Sequence, residues 1–186
     1  MGTKRWTWDN AFARVLNKVT CLVGLITVGG CYMGADSIST DGGTYVLSAT
    51  PKVQQFGDVL VGFCGSWRVG QDAFKMFGRM QRPSVHKFAE SFKTREEEWT
   101  ILVIENERLY EVGEDLSVVE VMSDGEYAYT AVGTGGDVAL GSLFADHIDV
   151  SSVTTALSAA EAHCVNVHGP FVVIETERLN DFRPNK

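Results

Sequence analysis

Thr20, Asp36 and Lys52 follow one another at equal intervals of sixteen residues. Together these three types could activate a hydroxyl without a histidine. A threonine hydroxyl is a weak nucleophile alone, but it becomes a good one when its own α-amine is free to take the proton and a lysine and aspartate pair polarises the site. Taken singly, Asp36 reads as a turn residue and Lys52 as a surface strand lysine. The joint spacing favours the chemical reading.

Such a triplet must be carried by strands whose ends meet. Thr20 to Thr27 reads as a buried strand, Gly29-Gly30 as a tight turn, and Cys31 to Ser37 as the antiparallel return, which places Asp36 near its end. Gly42-Gly43 mark a further turn. Thr44 to Leu47, Lys52 to Phe56 and Val59 to Cys64 follow as short strands, with a hairpin turn at Gly57-Asp58. Val69, Ala73, Met76, Phe77 and Met80 then fit one helical face, and a second helix starts at Ser84 with Val85, Phe88, Ala89 and Phe92 inward. A second sheet is expected to begin at Trp99, with strands over 99–105, 108–112, 117–121 and 127–132. Two more helices follow, one carrying Val138, Leu140, Leu143 and Phe144 and one from Val153 to about Val165, before a last strand from Pro170 to Glu175. Each helix pair then covers a sheet. The expected architecture is α+β, a four-layer αββα sandwich of two antiparallel sheets between helix pairs.

The 186 residues, 45% hydrophobic and 22% charged, suit one folded domain with a full core. A formal net charge of −8 argues against sequence-independent nucleic-acid binding, which depends on Lys and Arg neutralising phosphates. Cys21, Cys31, Cys64 and Cys164 form no CxxC pair and read as reduced thiols of a cytoplasmic protein. The run from Val19 to Val28 is too short for a membrane span, and Asp9 and Asn10 stand where a signal peptide needs apolar residues. His86, His147, His163 and His168 lack a metal spacing. Gly133-Thr134-Gly135-Gly136 lacks the Gly-Lys-Ser/Thr of a phosphate loop. No cofactor and no metal are called for.

Five stretches in order carry a resemblance: Thr20-Cys-Leu-Val-Gly, Gly34-Ala-Asp36-Ser37, Pro51-Lys52-Val53, Val61-Gly-Phe-Cys-Gly65 and Ala131-Val-Gly-Thr134-Gly-Gly136. With them the chain resembles the proteasome-type family of N-terminal nucleophile hydrolases, on its HslV-like side with small phage and bacterial relatives, from Thr20 to about Glu175. The resemblance implies that Thr20 is the nucleophile and its freed α-amine the general base. An unperturbed pKa of about 7.7 to 8.0 leaves a substantial part of such an amine neutral at working pH. It further implies that Lys52 lowers the cost of the developing alkoxide, that Asp36 keeps Lys52 charged, and that the Gly65 N–H points at the oxyanion. Thr134 falls where the family usually has a serine near the nucleophile's amine. The family's late acidic and serine positions have no assigned counterpart between Ala162 and Gly169. Substrate would pair as an extended strand along Ser39-Thr40 and Gly65 to Trp67, with Ser39, Thr50, Phe63 and Trp67 shaping the pocket before the scissile bond. Cys21, the nucleophile type of the family's cysteine branch, reads as a core residue.

Nineteen residues precede Thr20. Trp6, Trp8, Phe12, Val15 and Leu16 suggest a short amphipathic helix from near Asp9, appended to a hydrolase domain over 20–186. While residues 1–19 are attached, the nitrogen of Thr20 is an amide and cannot accept a proton. They read either as a leader that is removed or as the product of a start placed upstream of the true one, with Val19 at an alternative start codon. The expectation is a threonine-type endopeptidase acting on peptides or unfolded proteins, assembled as a homo-oligomeric ring and served by a separate unfolding ATPase. The alternatives are a catalytically silent ring-forming protein and a small-molecule amidase of the same superfamily.

Overall fold

A computed structural model describes residues 20–41, 44–94, 98–123, 126–145, 149 and 151–177. The helix expected near Asp9 and the turn at Gly42-Gly43 lie outside them. In chain order the elements are β1 (Cys21–Thr27), β2 (Gly30–Ala35), β3 (Ile38–Asp41), β4 (Thr44–Leu47), β5 (Val53–Phe56), β6 (Val59–Gly65), α1 (Trp67–Arg79), α2 (Val85–Ser91), β7 (Trp99–Glu105), β8 (Arg108–Val112), β9 (Val118–Glu120), β10 (Ala128–Gly133), α3 (Gly136–Ala145), α4 (Ser152–His163) and β11 (Val172–Glu177). One antiparallel sheet has the order β10-β1-β2-β11 and another the order β5-β6-β7-β8-β9. The β3–β4 hairpin stands apart as a two-stranded unit.

β1 shows why the sheets stack. All seven of its residues are buried. Cys21, Val23 and Leu25 join a core with Ala139, Leu143, Ala156 and Leu157 of α3 and α4, whereas Leu22 and Ile26 join Leu60, Leu102 and Leu109 of the other sheet. Period-two alternation of a continuous apolar run thus serves two cores from one strand. On the far side of the five-stranded sheet, Val61, Phe63, Ile101 and Val103 pack against Val69, Phe77 and Phe88 of α1 and α2. Ser66 caps α1, its hydroxyl accepting from Val69 N at 3.3 Å, and the stacked rings of Phe77 and Phe88, 5.0 Å apart, tie α1 to α2.

Some local expectations are corrected. The second sheet does not begin at Trp99, because β7 pairs with β6 along Leu60 to Gly65, so β5 and β6 already belong to it and the α1–α2 pair is an excursion between neighbouring strands. Phe74 is buried on α1, whereas Met76 and Met80 are only partly covered. Phe144 points outward at 82% exposure. It lies one residue, about 100° around the helix, beyond Leu143, which shares the buried face with Gly136 and Ala139. β3 had no strand signal of its own, since Ile-Ser-Thr-Asp is short and polar.

Candidate active site

The open end of the β1–β2 hairpin carries two of the three residues. Thr20 stands directly before β1 and Asp36 directly after β2, and the register Leu22↔Ala35 brings these ends side by side. Asp36 N donates to the Cys21 carbonyl at 3.2 Å, and Cys21 N donates to Asp36 Oδ1 at 2.9 Å. Lys52 comes from the facing sheet, directly before β5, where its carbonyl accepts from Phe63 N at 3.0 Å. From there its Nζ donates to Thr20 Oγ1 at 2.9 Å and to Asp36 Oδ1 at 3.0 Å. Ile38 N adds a longer bond to Asp36 Oδ2 at 3.4 Å. All three side chains are buried.

Burial works against both charges. Desolvation pushes the Asp36 carboxyl up, opposed by Lys52 and by the N–H groups of Cys21 and Ile38. Desolvation pushes the Lys52 ammonium down, opposed chiefly by Asp36. Each ion therefore depends on the other, as a buried pair does. The Thr20 hydroxyl oxygen sits in the field of a cation, which lowers the cost of an alkoxide there.

The β10–α3 turn completes the surroundings of Thr20. Thr20 N donates to Thr134 Oγ1 at 3.4 Å, and the same hydroxyl donates to the Thr20 carbonyl at 3.4 Å. Gly133 has a φ of 97°, and a Cβ there would run into the Thr20 carbonyl, so only glycine lets the turn come this close. Gly65, at the end of β6, has a φ of 93°, and its would-be Cβ would collide with the Glu98 carbonyl. Strand packing alone thus demands glycine at 65.

The residues expected around the substrate are placed unevenly. Ser39 is half-buried on β3 and Thr40 pairs with Tyr45 in the β3–β4 register. Thr50 is exposed in a turn where its N–H donates to Ser48 Oγ at 3.1 Å. Trp67 is half-buried, its ring centroid 6.0 Å from Lys52 Nζ. Phe63, expected at the pocket, is 1% exposed and lies on the α1 side of β6 with edge contacts to Trp67 and Phe74 at 5.2 and 5.5 Å. The alternation along β6 sends it to the helix core with Val61.

Cys21 is buried, and desolvation followed by the Asp36 charge pushes its thiol far up, which leaves it a core residue rather than a nucleophile. Among the described residues no group of His, Cys, Asp and Glu could hold a metal ion, and no helix is long and apolar enough to cross a membrane. One neighbour of the site escaped the sequence reading. Cys164, at the C-terminal cap of α4, directs its thiol to the Thr134 carbonyl at 3.7 Å. A lone cysteine after a helix carries no signal of such a contact.

Two antiparallel sheets between helix pairs, with a threonine heading the first strand of one sheet and a lysine reaching it from the other, have the fold of the N-terminal nucleophile hydrolases. Solved structures of that fold match most of the chain. The Thiobacillus denitrificans protein BPH superposes with a TM-score of 0.69 at 18% identity, covering 87% of this chain and 100% of its own. The same protein in complex with epoxomicin matches with a TM-score of 0.69 at 18% identity over 84% of this chain and 98% of its own. Eukaryotic HslV from Trypanosoma brucei matches with a TM-score of 0.67 at 19% identity over 84% of this chain and 99% of its own. No protein-family model matches the sequence, and no match is found among curated proteins. At this identity the likeness is one of fold.

Proposed function

We propose that the chain is a threonine-type peptidase whose nucleophile is Thr20 once its α-amine is free. The observation that carries this reading is the Lys52 ammonium 2.9 Å from Thr20 Oγ1, itself held by Asp36 at 3.0 Å. The free α-amine takes the hydroxyl proton as the oxygen attacks the substrate carbonyl, and the ammonium of Lys52 stabilises the negative charge on that oxygen. The tetrahedral oxyanion is met by the N–H of Gly65. The protonated amine then gives its proton to the departing substrate nitrogen, leaving an ester on Thr20. A water molecule, deprotonated by the same amine, attacks the ester, and the proton returns to Thr20 Oγ1 as the acid leaves. Thr134, bonded to both the nitrogen and the carbonyl of Thr20, orients the amine.

With residues 1–19 attached, the Thr20 nitrogen is an amide whose lone pair is delocalised, and the chain is silent. Activity therefore requires their absence. The substrate binds as an extended strand along Ser39-Thr40 and Gly65 to Trp67. The assembly proposed is a homo-oligomeric ring, with a separate unfolding ATPase for folded substrates and a cytoplasmic setting. Epoxomicin, the ligand in the T. denitrificans complex, is the natural probe. It is expected to bind and inhibit protein beginning at Thr20, and to leave Thr20→Ala unaffected. Equal binding to both proteins would remove Thr20 from the centre of the site. Cleavage of acyl amides but not of peptides would instead make the chain a small-molecule amidase.

A further inference from the structure

We propose that Trp67 is a positioning residue for Lys52, its ring face holding the ammonium against Thr20 Oγ1. An ammonium has three donors, and Lys52 directs one to Thr20 and one to Asp36. The Trp67 ring centroid stands 6.0 Å away, at the limit where the negative face of an indole attracts a cation and where desolvation strengthens the attraction. Lys52 is 2% exposed, so the ammonium end of the interaction lies out of water, against a half-buried ring. Among the described residues, the charged or titratable groups acting most on Lys52 are Asp36 after β2, Cys64 on β6 and Cys21 on β1, and α1 contributes the Trp67 ring.

The ring is itself held in place. Trp67 is the first residue of α1, directly after its capping Ser66, and Phe63 meets it edge-on at 5.2 Å. Phe63 can lie there because Gly70, one turn along α1, has no side chain, and a Cβ at that position would enter the Phe63 ring. Gly70, Phe63 and Trp67 thus form a stack that ends on Lys52. A wall of the substrate pocket would need only bulk at position 67. A lysine support needs a π-face.

This inference deepens the peptidase reading and rests on it for its catalytic meaning, but its first test does not need activity. Lysines labelled with 13C at Cε are titrated by NMR in the full chain, its Trp67→Phe and Trp67→Leu variants, with Lys52→Met used to assign the signal. The Lys52 midpoint is expected to fall by about half a unit to one unit in Trp67→Leu and to stay near the parent in Trp67→Phe. In protein beginning at Thr20, kcat should fall about threefold to tenfold in Trp67→Leu, most at the basic end of the pH profile, and stay near the parent in Trp67→Phe. An unchanged midpoint in Trp67→Leu, or an equal fall in Trp67→Phe, would overturn the proposal. Should Trp67→Leu fail to fold, Trp67→Met takes its place under the same criteria. A shifted midpoint in a chain without peptidase activity would keep the Lys52 support and sink the peptidase reading instead.

Discussion

Thr20, Asp36 and Lys52 are buried and each is held by two or more hydrogen bonds reaching between strand ends, whereas Thr50, on the expected substrate rim, sits exposed in a turn closed through Ser48. The difference lies in what a substitution leaves behind. Removing a member of the buried triplet strands a charge or a donor where water does not reach it. Removing a rim hydroxyl leaves a gap that solvent fills. The triplet is therefore stiff and costly to alter singly, and the rim is free to vary.

The largest effect expected is that of Thr20→Ala in protein beginning at position 20. Peptide hydrolysis should drop at least about 1,000-fold while the fold is retained, checked by a peptide assay alongside circular dichroism. Next comes Lys52→Met, which leaves Asp36 buried without its cation. A loss of about 3 to 5 kcal/mol in urea unfolding is expected along with loss of activity, and Asp36→Asn with Lys52→Met should recover most of the stability and none of the activity. The pH dependence of the single variant has a definite sign. Burial already raises the Asp36 carboxyl and loss of Lys52 raises it further, so the penalty is greatest at high pH and shrinks as pH falls through the raised value.

The pH profile of the active form compares the two partners of Thr20. Activity rises with pH as the α-amine loses its proton, around pH 7.7 to 8.0 for an unperturbed amine. It falls again as Lys52 loses its proton, below the ordinary lysine range because burial pushes that ammonium down. A rate still rising at pH 11 would contradict a charged Lys52 as a requirement. Thr134→Val should cost about tenfold in kcat and Thr134→Ser little, because the two 3.4 Å bonds to Thr20 need only the hydroxyl. The smallest effect belongs to the rim. Thr50→Ala should change KM by less than about twofold and leave kcat alone. A larger loss at Thr50 than at Thr134 would reverse the contrast between centre and rim.

Much of the centre was legible because it depends on residue type at strand ends. A continuous apolar run after Thr20 has one stable fate, a strand buried on both faces, but the hairpin turn lies at Val28-Gly29, one residue before the expected Gly29-Gly30, so the register that sets Asp36 beside Cys21 is fixed by the fold and not by the pattern. Joint spacing together with the family resemblance singles out Asp36 and Lys52, and the fold brings both to Thr20. The rim was not legible, because it depends on which face of β6 meets α1. Phe63 reads equally well toward a pocket or toward the core, and the absence of a side chain at Gly70 decides for the core. The partition of strands between sheets was hidden for a similar reason: β6 and β7 are neighbours across two intervening helices, a pairing that local pattern does not record. Cys164 and the ring of Trp67 join the site through tertiary contacts alone.

The most direct measurement is the rate of peptide cleavage by three purified proteins: the full 186-residue chain, a form whose first residue is Thr20 by intact mass, and that form with Thr20→Ala. Cleavage confined to the form with the free threonine is the expected result. Equal rates in all three, or activity in the full chain with Met1 still in place, would contradict a reaction that depends on the free α-amine of Thr20.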